Sequence, residues 1–196
     1  MNAFDPANVT AAVLAGGAGS RLGGRDKGLH PLGGIPLVAH VTAALATQAG
    51  SVLICVNRNP EAYAAYGATC VDKTSGFRGP LAGIAAALDA CRTPWLLTVP
   101  VDCPRPPHDL ARRLFGALPP EGAAVAGVGA HREPLFALYS RRFAGDARAA
   151  LQRDLPVWRW QDEIGAIEVD FAACADAFAN LNTADEFQAW EARNHG

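Results

Sequence analysis

The twenty residues VTAAVLAGGAGSRLGGRDKG, numbered 9–28, join an apolar run directly to a glycine-rich loop. An apolar run without alternation, as in 9–15, is typical of a strand that is buried on both faces of a parallel sheet. Six of the residues from 14 to 28 are glycine, and two arginines and a lysine lie among them. A loop of this kind after a buried strand can direct backbone N–H groups and positive charge at phosphate oxygens. The stretch therefore predicts an α/β sheet whose first strand ends at an anion-binding loop.

Short apolar runs continue to alternate with longer alanine- and leucine-rich segments through the first half of the chain. Pro36, Pro60, Pro80 and Pro107 fit the first turn of a helix, where no backbone N–H is needed. This rhythm predicts a three-layer α/β fold with a doubly wound, mainly parallel sheet and right-handed crossovers. The predicted strands are 9–15, 51–56, 69–71 and 95–102, and the predicted helices are 36–48, 60–67, 80–91 and 107–118.

The second half of the chain is less regular. The predicted strands there are 123–129, 133–139, 166–171 and 177–181, and the predicted helices are 141–152 and 183–193. Thr183 precedes Glu186 by three residues, which is the spacing of a capping box at the start of the last helix. No internal repeat or long linker separates the halves, and 196 residues suit one hydrophobic core. We therefore expect a single domain that spans residues 1–196.

Composition argues against several classes of function. A formal net charge of -2 creates no overall field for nucleic acid or an anionic membrane, so an anionic ligand must meet a local cluster of charge. The five cysteines include no CxxC pair and the histidines no HExxH motif, which disfavours structural zinc and a disulfide framework. Neither a leader sequence nor an apolar run of about 18 to 20 residues is visible. We expect a cytoplasmic protein that binds no nucleic acid and no membrane.

Two common phosphate-binding motifs do not fit the loop. Walker A needs Gly-Lys followed by Ser or Thr, whereas the order here is Asp26, Lys27, Gly28. The dinucleotide motif GxGxxG, counted from Gly17, meets Leu22 where the third glycine should be. The failed glycine register disfavours an NAD-dependent oxidoreductase.

The pattern that remains suits a nucleoside triphosphate. Small residues at Ala15, Gly16 and Gly17 would let a base or a ribose lie against bare backbone. Arg21 can hold two phosphate oxygens as a fork, and Lys27 can act as a point charge. A surface loop with solvated charges would explain any one of these residues, but it explains their combination poorly.

The loop resembles the signature of the molybdenum cofactor guanylyltransferases, which join GMP to molybdopterin and share a Rossmann-like α/β fold with other nucleotidyltransferases. Four further segments are similar to that family in the same order: VNRN (56–59), GPLAGI (79–84), VPVDCP (99–104) and NLNTADEF (180–187). The similarity covers nearly the whole chain, with Ala184 where the family usually has proline. It implies that the N-terminal half binds GTP and that the C-terminal half binds molybdopterin.

The resemblance assigns the metal to Asp102, which follows a predicted buried strand. A carboxylate in that position suits Mg2+, with Mn2+ as the alternative metal, because the ion can bridge it to substrate phosphates. A cap on the following helix is the structural alternative. By resemblance, Asn57 and Asp72 help to hold the guanosine, although turn chemistry would explain either. Relatives often carry a second asparagine where this chain has Cys55, which weakens the assignment of Asn57.

Three other residues have two interpretations each. Gly83 lies inside a predicted helix, where glycine costs about 1 kcal/mol relative to alanine, so it indicates close approach of either a ligand or a strand. Trp158 and Trp160 belong either to the core or to a surface that faces the pterin.

The second substrate is expected to dock across from GTP. Asn180 and Asn182 would alternate along a short strand, so that both amides face one side and recognise a polar pterin edge. By resemblance this segment belongs to the molybdopterin side, together with HREP (131–134), where Arg132 would meet a phosphate. Helix capping by Asn182 or Thr183 is the alternative.

The resemblance implies that the terminal phosphate of molybdopterin attacks the α-phosphorus of GTP and expels pyrophosphate. A phosphate monoester with a second pKa of about 6 is largely dianionic at neutral pH, so no catalytic base is required. Catalysis then rests on Mg2+ held by Asp102, on Lys27 near the α-phosphate and on Arg21 near the leaving group. The substrate-binding set comprises Leu14, Ala15, Gly16, Gly17, Gly24, Lys27, Asn57, Asp72, Gly83, Arg132, Asn180 and Asn182.

Other functions remain as alternatives. Transfer of CMP to molybdopterin is disfavoured because cytidylyl relatives usually have Leu-Ala-Ala-Gly in the loop, and transfer to a sugar phosphate is disfavoured because those enzymes usually carry a proline shortly before the lysine. A carrier that holds nucleotide or molybdopterin without chemistry should have lost Lys27 or Asp102, and both are present. Beyond the two substrates, other molybdenum cofactor biosynthesis proteins or acceptor apoenzymes are expected as partners.

Overall fold

The computed structural model describes residues 3–16, 26–71 and 79–194, and their strands form one large sheet and one small ribbon. The strands are β1 (Val9–Leu14), β2 (Pro31–Leu32), β3 (Ile35–Pro36), β4 (Ser51–Val56), β5 (Ala68–Val71), β6 (Trp95–Pro100), β7 (Ala123–Val128), β8 (His131–Ser140) and β9 (Ile167–Asp170). Seven of them form a sheet in the order β5-β4-β1-β6-β8-β7-β9, and β2 pairs with β3 in a two-stranded ribbon.

The strands β5, β4, β1 and β6 are parallel to one another. Val13 of β1 lies beside Ile54 of β4 and Val99 of β6. Ala11 and Val13 pack into the core on one face of the sheet, while Ala12 packs into the core on the other. Because both faces are covered, β1 is apolar along its length rather than alternating.

Helices lie on both faces of the sheet. They are α1 (Leu37–Leu45), α2 (Pro60–Tyr63), α3 (Pro80–Ala90), α4 (Leu110–Ala117), α5 (Ala144–Gln152), α6 (Val157–Glu163) and α7 (Ala184–Asn194). Apolar residues of α1 and α4 form the core on one face, and those of α3, α5 and α6 form the core on the other. This arrangement confirms the predicted three-layer, doubly wound fold. No helix in the described residues is long and apolar enough to cross a membrane.

The other part of the sheet is antiparallel at its centre. Strand β8 runs antiparallel to both β6 and β7, and β9 runs parallel to β7 at the edge. The ladder between β7 and β8 is interrupted, because the pair Val125 and Ala137 is followed by the pair Ala126 and Glu133. Residues 134–136 therefore bulge out of the ladder. The sheet is mixed, as predicted, but the bulge was not expected.

The predicted strand at 177–181 is wrong. A 3-10 helix runs over Ala172–Phe178, and the chain then crosses back from the sheet edge to the start of α7 without pairing as a strand. Phe178 packs against Phe136, with ring centroids 4.8 Å apart. The Leu181 N–H donates to the Asp102 carbonyl over 2.9 Å. The apolar residues of this segment hold a connecting segment against the core. Such a segment has the same composition as a short buried strand, which is why the prediction failed.

Several predicted boundaries also differ. The predicted helix 60–67 ends at Tyr63, and the helix predicted from 107 begins at Leu110. Helix α6 and the ribbon β2-β3 were not predicted. The ribbon contributes Leu32 to a third apolar cluster that also contains Phe187 and Trp190 of α7.

Candidate active site

The carboxyl ends of β1, β4 and β6 meet at one edge of the sheet. Two backbone hydrogen bonds continue the sheet past these ends: the Ala15 N–H donates to the Cys55 carbonyl (2.9 Å), and the Val101 N–H donates to the Leu14 carbonyl (3.1 Å). A cavity of about 320 Å³ opens at this edge. The predicted residues that line it are Leu14, Ala15, Gly16, Lys27, Asn57, Gly83 and Asp102.

The cavity forms where β6 is no longer paired with β8. The pairing of β6 with β8 ends at Thr98 and Ala137, and the bulge at 134–136 begins there. Leu135 of this bulge lines the cavity. The Pro134 carbonyl, which leaves the ladder, accepts a hydrogen bond of 2.8 Å from Gln161 Nε2 of α6. Bulges are frequent next to active sites because they redirect a side chain. Pro134 is the sequence signal that was missed, because proline has no N–H to donate to a ladder and within sheets is confined to edges and bulges.

Lys27, Asp102 and Asn182 meet at the rim of the cavity. The Lys27 ammonium donates to Asp102 Oδ2 over 2.7 Å and to Asn182 Oδ1 over 2.6 Å. The side chains of Lys27 and Asp102 are only 20% and 22% exposed, so water screens this ion pair less than it would screen a pair on the surface. Three segments that are far apart in the chain therefore place a cation, a carboxylate and an amide together.

Asp102 has one carboxylate oxygen free for a further ligand. Its Oδ1 is buried and has no hydrogen-bond partner among the described residues, while its Oδ2 is bound to Lys27. An orphaned carboxylate oxygen is costly, and a divalent cation would satisfy it. Among the described residues no group of three His, Cys, Asp or Glu side chains gathers around an ion. A single carboxylate fits Mg2+, which keeps several waters and binds substrate phosphates through its remaining positions.

The thiol that follows Asp102 is not a candidate nucleophile. Burial raises the pKa of Cys103 to about 12, and the neighbouring Asp102 carboxylate contributes in the same direction. The Cys103 Sγ lies 3.1 Å from the Ala177 carbonyl, to which it donates. The thiol is therefore protonated at neutral pH and engaged with the backbone.

Asn57 and Gly16 line the cavity side by side. Asn57 Nδ2 donates to the Gly16 carbonyl over 3.3 Å. A Cβ at position 16 would lie 3.2 Å from the same nitrogen, so Gly16 allows this close approach of side chain to backbone. Gly83 approaches the strand ends less closely, since a Cβ there would lie 3.5 Å from Leu14 Cδ2 and 3.7 Å from Cys55 Cβ, in ordinary contact. Gly83 therefore faces both a strand and the cavity.

The last helix begins with the predicted capping box. The Glu186 N–H donates to Thr183 Oγ1 over 3.3 Å, and Glu186 Oε2 accepts from the Thr183 N–H (2.8 Å) and the Asn182 N–H (2.5 Å). Because Thr183 and Glu186 supply the cap, the Asn182 side chain is available to Lys27. Asn180 is exposed. Without a strand the two asparagines do not alternate, and the prediction that both amides face one side for that reason is corrected.

Arg132 does not line the cavity. Its guanidinium donates to Asp162 Oδ1 (2.6 Å) and to Glu168 Oε2 (3.2 Å), and these two carboxylates raise its pKa. Trp158, whose carbonyl also accepts from Arg132, is 48% exposed. Trp160 belongs to the core, where it packs on Tyr139.

Four predicted site residues lie outside the described residues. They are Gly17, Arg21, Gly24 and Asp72. Their assigned roles therefore stay predictions.

Known proteins resemble this chain along nearly its whole length. A family model described as a MobA-like NTP transferase domain matches residues 11–166. The molybdenum cofactor guanylyltransferase of Cupriavidus taiwanensis is 40% identical over 197 residues, which cover 95% of this chain and 98% of the relative. The protein of the same name from Ralstonia nicotianae is 42% identical over 194 residues, which cover 92% of this chain and 95% of the relative.

Solved structures share the fold at lower identity. The molybdopterin-guanine dinucleotide biosynthesis protein A of Archaeoglobus fulgidus superposes with a TM-score of 0.75 at 20% identity, covering 94% of this chain and 97% of that one. The 2-C-methyl-D-erythritol 4-phosphate cytidylyltransferase of Thermus thermophilus superposes with a TM-score of 0.67 at 17% identity. The superposition covers 94% of this chain and 98% of that one. These likenesses confirm the nucleotidyltransferase fold.

Proposed function

Because the chain belongs to the MobA-like NTP transferase family, we propose that it transfers GMP from GTP to molybdopterin, which yields the guanine dinucleotide cofactor and pyrophosphate. Relatives that are 40% and 42% identical are named for this activity. The observation that carries the proposal is the cluster of Lys27, Asp102 and Asn182 at the rim of the strand-end cavity. A nucleotidyl transfer between two anions needs positive charge and a metal ligand at one point, and this cluster supplies both.

The acceptor needs no base from the protein. The terminal phosphate of molybdopterin is largely dianionic at neutral pH, because the second pKa of a phosphate monoester is about 6. The Cys103 thiol beside the site is held protonated, which agrees with direct attack rather than a covalent protein intermediate. The protein therefore contributes orientation and charge neutralisation.

Lys27 and Asp102 divide the electrostatic task. The Lys27 ammonium, poised at the cavity rim, would hold an oxygen of the α-phosphate and neutralise charge that develops there. Asp102 would hold the metal through Oδ1, the oxygen for which the described residues provide no partner, and the bound Mg2+ or Mn2+ would supply Lewis-acid neutralisation of the triphosphate. Arg21 is proposed to bind the leaving pyrophosphate.

The first half of the chain is proposed to select the nucleotide. Ala15, Gly16 and Asn57 line the cavity and present backbone and one amide to a base. A second glycine where cytidylyl relatives usually have alanine leaves room for a purine, which favours GTP over CTP. Gly17, Gly24 and Asp72 are proposed to complete this pocket, as the resemblance implies.

The second half is proposed to bind molybdopterin within the same domain. Asn182 borders both halves because its amide touches Lys27, and the exposed Asn180 is available to a pterin edge. Arg132 is held by two carboxylates, so a phosphate could engage it only in competition with Asp162 and Glu168. Asn180 and Asn182 are therefore the stronger candidates on this side.

The test is a product assay with purified protein, Mg2+ and molybdopterin. We expect equimolar pyrophosphate and guanine dinucleotide from GTP, and much slower turnover with CTP or ATP. Lys27→Ala should fold and lose about 10² to 10³ in rate, as preorganised charges in active sites commonly do. Faster turnover with CTP, or with a sugar phosphate as acceptor, would overturn the proposal in favour of those activities. Tight binding of both substrates without pyrophosphate release would identify a carrier.

A further inference from the structure

A group of three polar side chains next to Lys27 has no part in the mechanism described so far. The Tyr63 hydroxyl donates to Asp26 Oδ1 in a short hydrogen bond, and Asn59 Nδ2 donates to Asp26 Oδ2 over 3.2 Å. Both oxygens of the Asp26 carboxylate are therefore occupied by the segment that follows Asn57. We define Tyr63, Asp26 and Asn59 as the tyrosine latch.

Tyr63 is a rigid support for this latch. Its ring is fully buried in the core that also contains Val41 and Ile54, so the hydroxyl has a defined position. Burial raises the pKa of Tyr63, and the hydrogen bond to Asp26 raises it further, so the phenol remains a donor throughout the working pH range. A group whose ring is fixed by packing holds its hydrogen-bond partner more precisely than a surface side chain does.

The same phenol also restrains the residue on the other side of Lys27. A Cβ placed on Gly28 would collide with the Tyr63 hydroxyl, so only glycine allows the chain to lie this close. Lys27 begins a 3-10 turn, Lys27–Leu29, in which the His30 N–H donates to the Lys27 carbonyl over 3.1 Å. Lys27 is therefore flanked by two residues that a single buried tyrosine holds in place.

Asn59 adopts a backbone conformation that suits its role in the latch. Its φ of 51° and ψ of 43° lie in the left-handed region, which asparagine tolerates better than most residues. The side chain is not used to cap the short helix α2 and reaches Asp26 instead.

We propose that the tyrosine latch is a positioning device for Lys27, with Asp26 and Tyr63 as positioning residues that do not touch substrate. Fixing the backbone at 26–28 aims the Lys27 side chain at Asp102 and Asn182, and so at the reacting phosphates. Tyr63 and Asn59 also occupy both oxygens of the carboxylate that precedes Lys27 in the chain, so Asp26 does not compete with Asp102 for the ammonium group. The inference rests on the proposed function, because Lys27 must be a catalytic residue for its position to matter.

The experiment compares kcat and the KM for GTP in matched variants. Tyr63→Phe removes only the hydroxyl, and Asp26→Ala removes the acceptor. We expect each to lower kcat about tenfold, the effect of losing one hydrogen bond to a charged group, while Tm stays within about 5 °C of wild type. The double variant should be no slower than Asp26→Ala, because the two residues act through one contact. Asp26→Asn retains an acceptor for the hydroxyl and should recover most of the rate.

Tyr66→Phe is the control, since it removes a hydroxyl from the same segment and should leave kcat unchanged. Wild-type kcat in Tyr63→Phe and Asp26→Ala would overturn the proposal. The proposal would also be overturned if the two kcat losses multiplied in the double variant, or if only the KM for GTP changed. A loss of rate no larger than the fraction of unfolded protein would overturn it as well. Should Tyr63→Phe fail to fold, the contrast between Asp26→Ala and Asp26→Asn decides alone.

Lys27→Ala, assayed in parallel, separates this inference from the proposed function. Wild-type turnover in Lys27→Ala would show that Lys27 is not catalytic, whatever the latch variants do. An inactive Lys27→Ala together with active latch variants would reject the latch and leave the proposed function intact.

Discussion

The parallel and antiparallel parts of the sheet build the site in different ways. In the parallel part, β1 and β6 end side by side, Asp102 comes shortly after the end of β6, and Lys27 reaches it from the 3-10 turn that follows the glycine-rich stretch. In the antiparallel part, the cavity depends on a bulge at 134–136, and Asn182 arrives through a segment that belongs to no strand. The carboxyl ends of parallel strands therefore bring functional residues to a predictable edge of the sheet, whereas the antiparallel part brings them there through irregular backbone.

The strongest test of this comparison is Asp102→Asn, which removes the charge supplied by the parallel part. We expect the variant to fold, because the amide oxygen can still accept from Lys27, and to lose about 10² to 10³ in kcat. The measurement is turnover with GTP and molybdopterin over a range of Mg2+ concentrations, beside a thermal unfolding curve. Asp109→Asn is the control, since Asp109 is as exposed as Asp102, does not line the cavity and pairs with Arg112 at 3.6 Å. Equal rates in the two variants would contradict the assignment of the metal to Asp102.

A smaller effect is expected from Asn182→Ala, which tests the contribution of the antiparallel part. Lys27 would lose one of its two acceptors, and we expect kcat to fall about tenfold with a smaller change in the KM for molybdopterin. Steady-state kinetics with both substrates varied give the two parameters separately. Gln188→Ala, an exposed change on α7, should behave as wild type. If the KM for molybdopterin rose while kcat stayed unchanged, Asn182 would be assigned to pterin recognition and not to the support of Lys27.

The smallest effect concerns the cap that frees Asn182. Hydrogen bonds from the Asn182 and Thr183 N–H groups lower the pKa of Glu186 below its usual value, so the ionised carboxylate favours the folded state. This stabilisation is fully present above the ordinary pKa and is lost as the pH falls through the lowered one. Glu186→Gln should therefore reduce Tm at neutral pH, and the difference from wild type should shrink as the pH falls through the lowered pKa of Glu186. A difference that does not change with pH would show that the charge of Glu186 is irrelevant.

Local patterns were sufficient for the parallel part of the site. The apolar run before the glycine loop predicts β1, and the run before Asp102 predicts β6, so the loop and Asp102 were expected at the same sheet edge. The pairing of Lys27 with Asp102 at 2.7 Å agrees with that expectation. The capping box of Thr183 and Glu186 is also a local pattern, and it was confirmed.

Local patterns failed where a contact crosses a long stretch of chain. The segment 177–181 has the composition of a strand, but Phe178 and Leu181 pack into two different hydrophobic clusters. Arg132 is a residue type that suits a phosphate, but it is paired instead with Asp162 of α6 and Glu168 of β9. Neither outcome is encoded near the residue concerned.

The sequence alone was enough to predict the three layers of the fold, its mainly parallel sheet and the position of Asp102 just after a buried strand. These features follow from hydrophobic periodicity and from the geometry of parallel strands, both of which act over a few residues. Three contacts could be found only in the folded chain: Leu135 lines the cavity, Asn182 binds Lys27, and Tyr63 binds Asp26. A side-chain hydrogen bond between distant segments depends on how whole elements pack against one another, and no local pattern in the sequence records that packing.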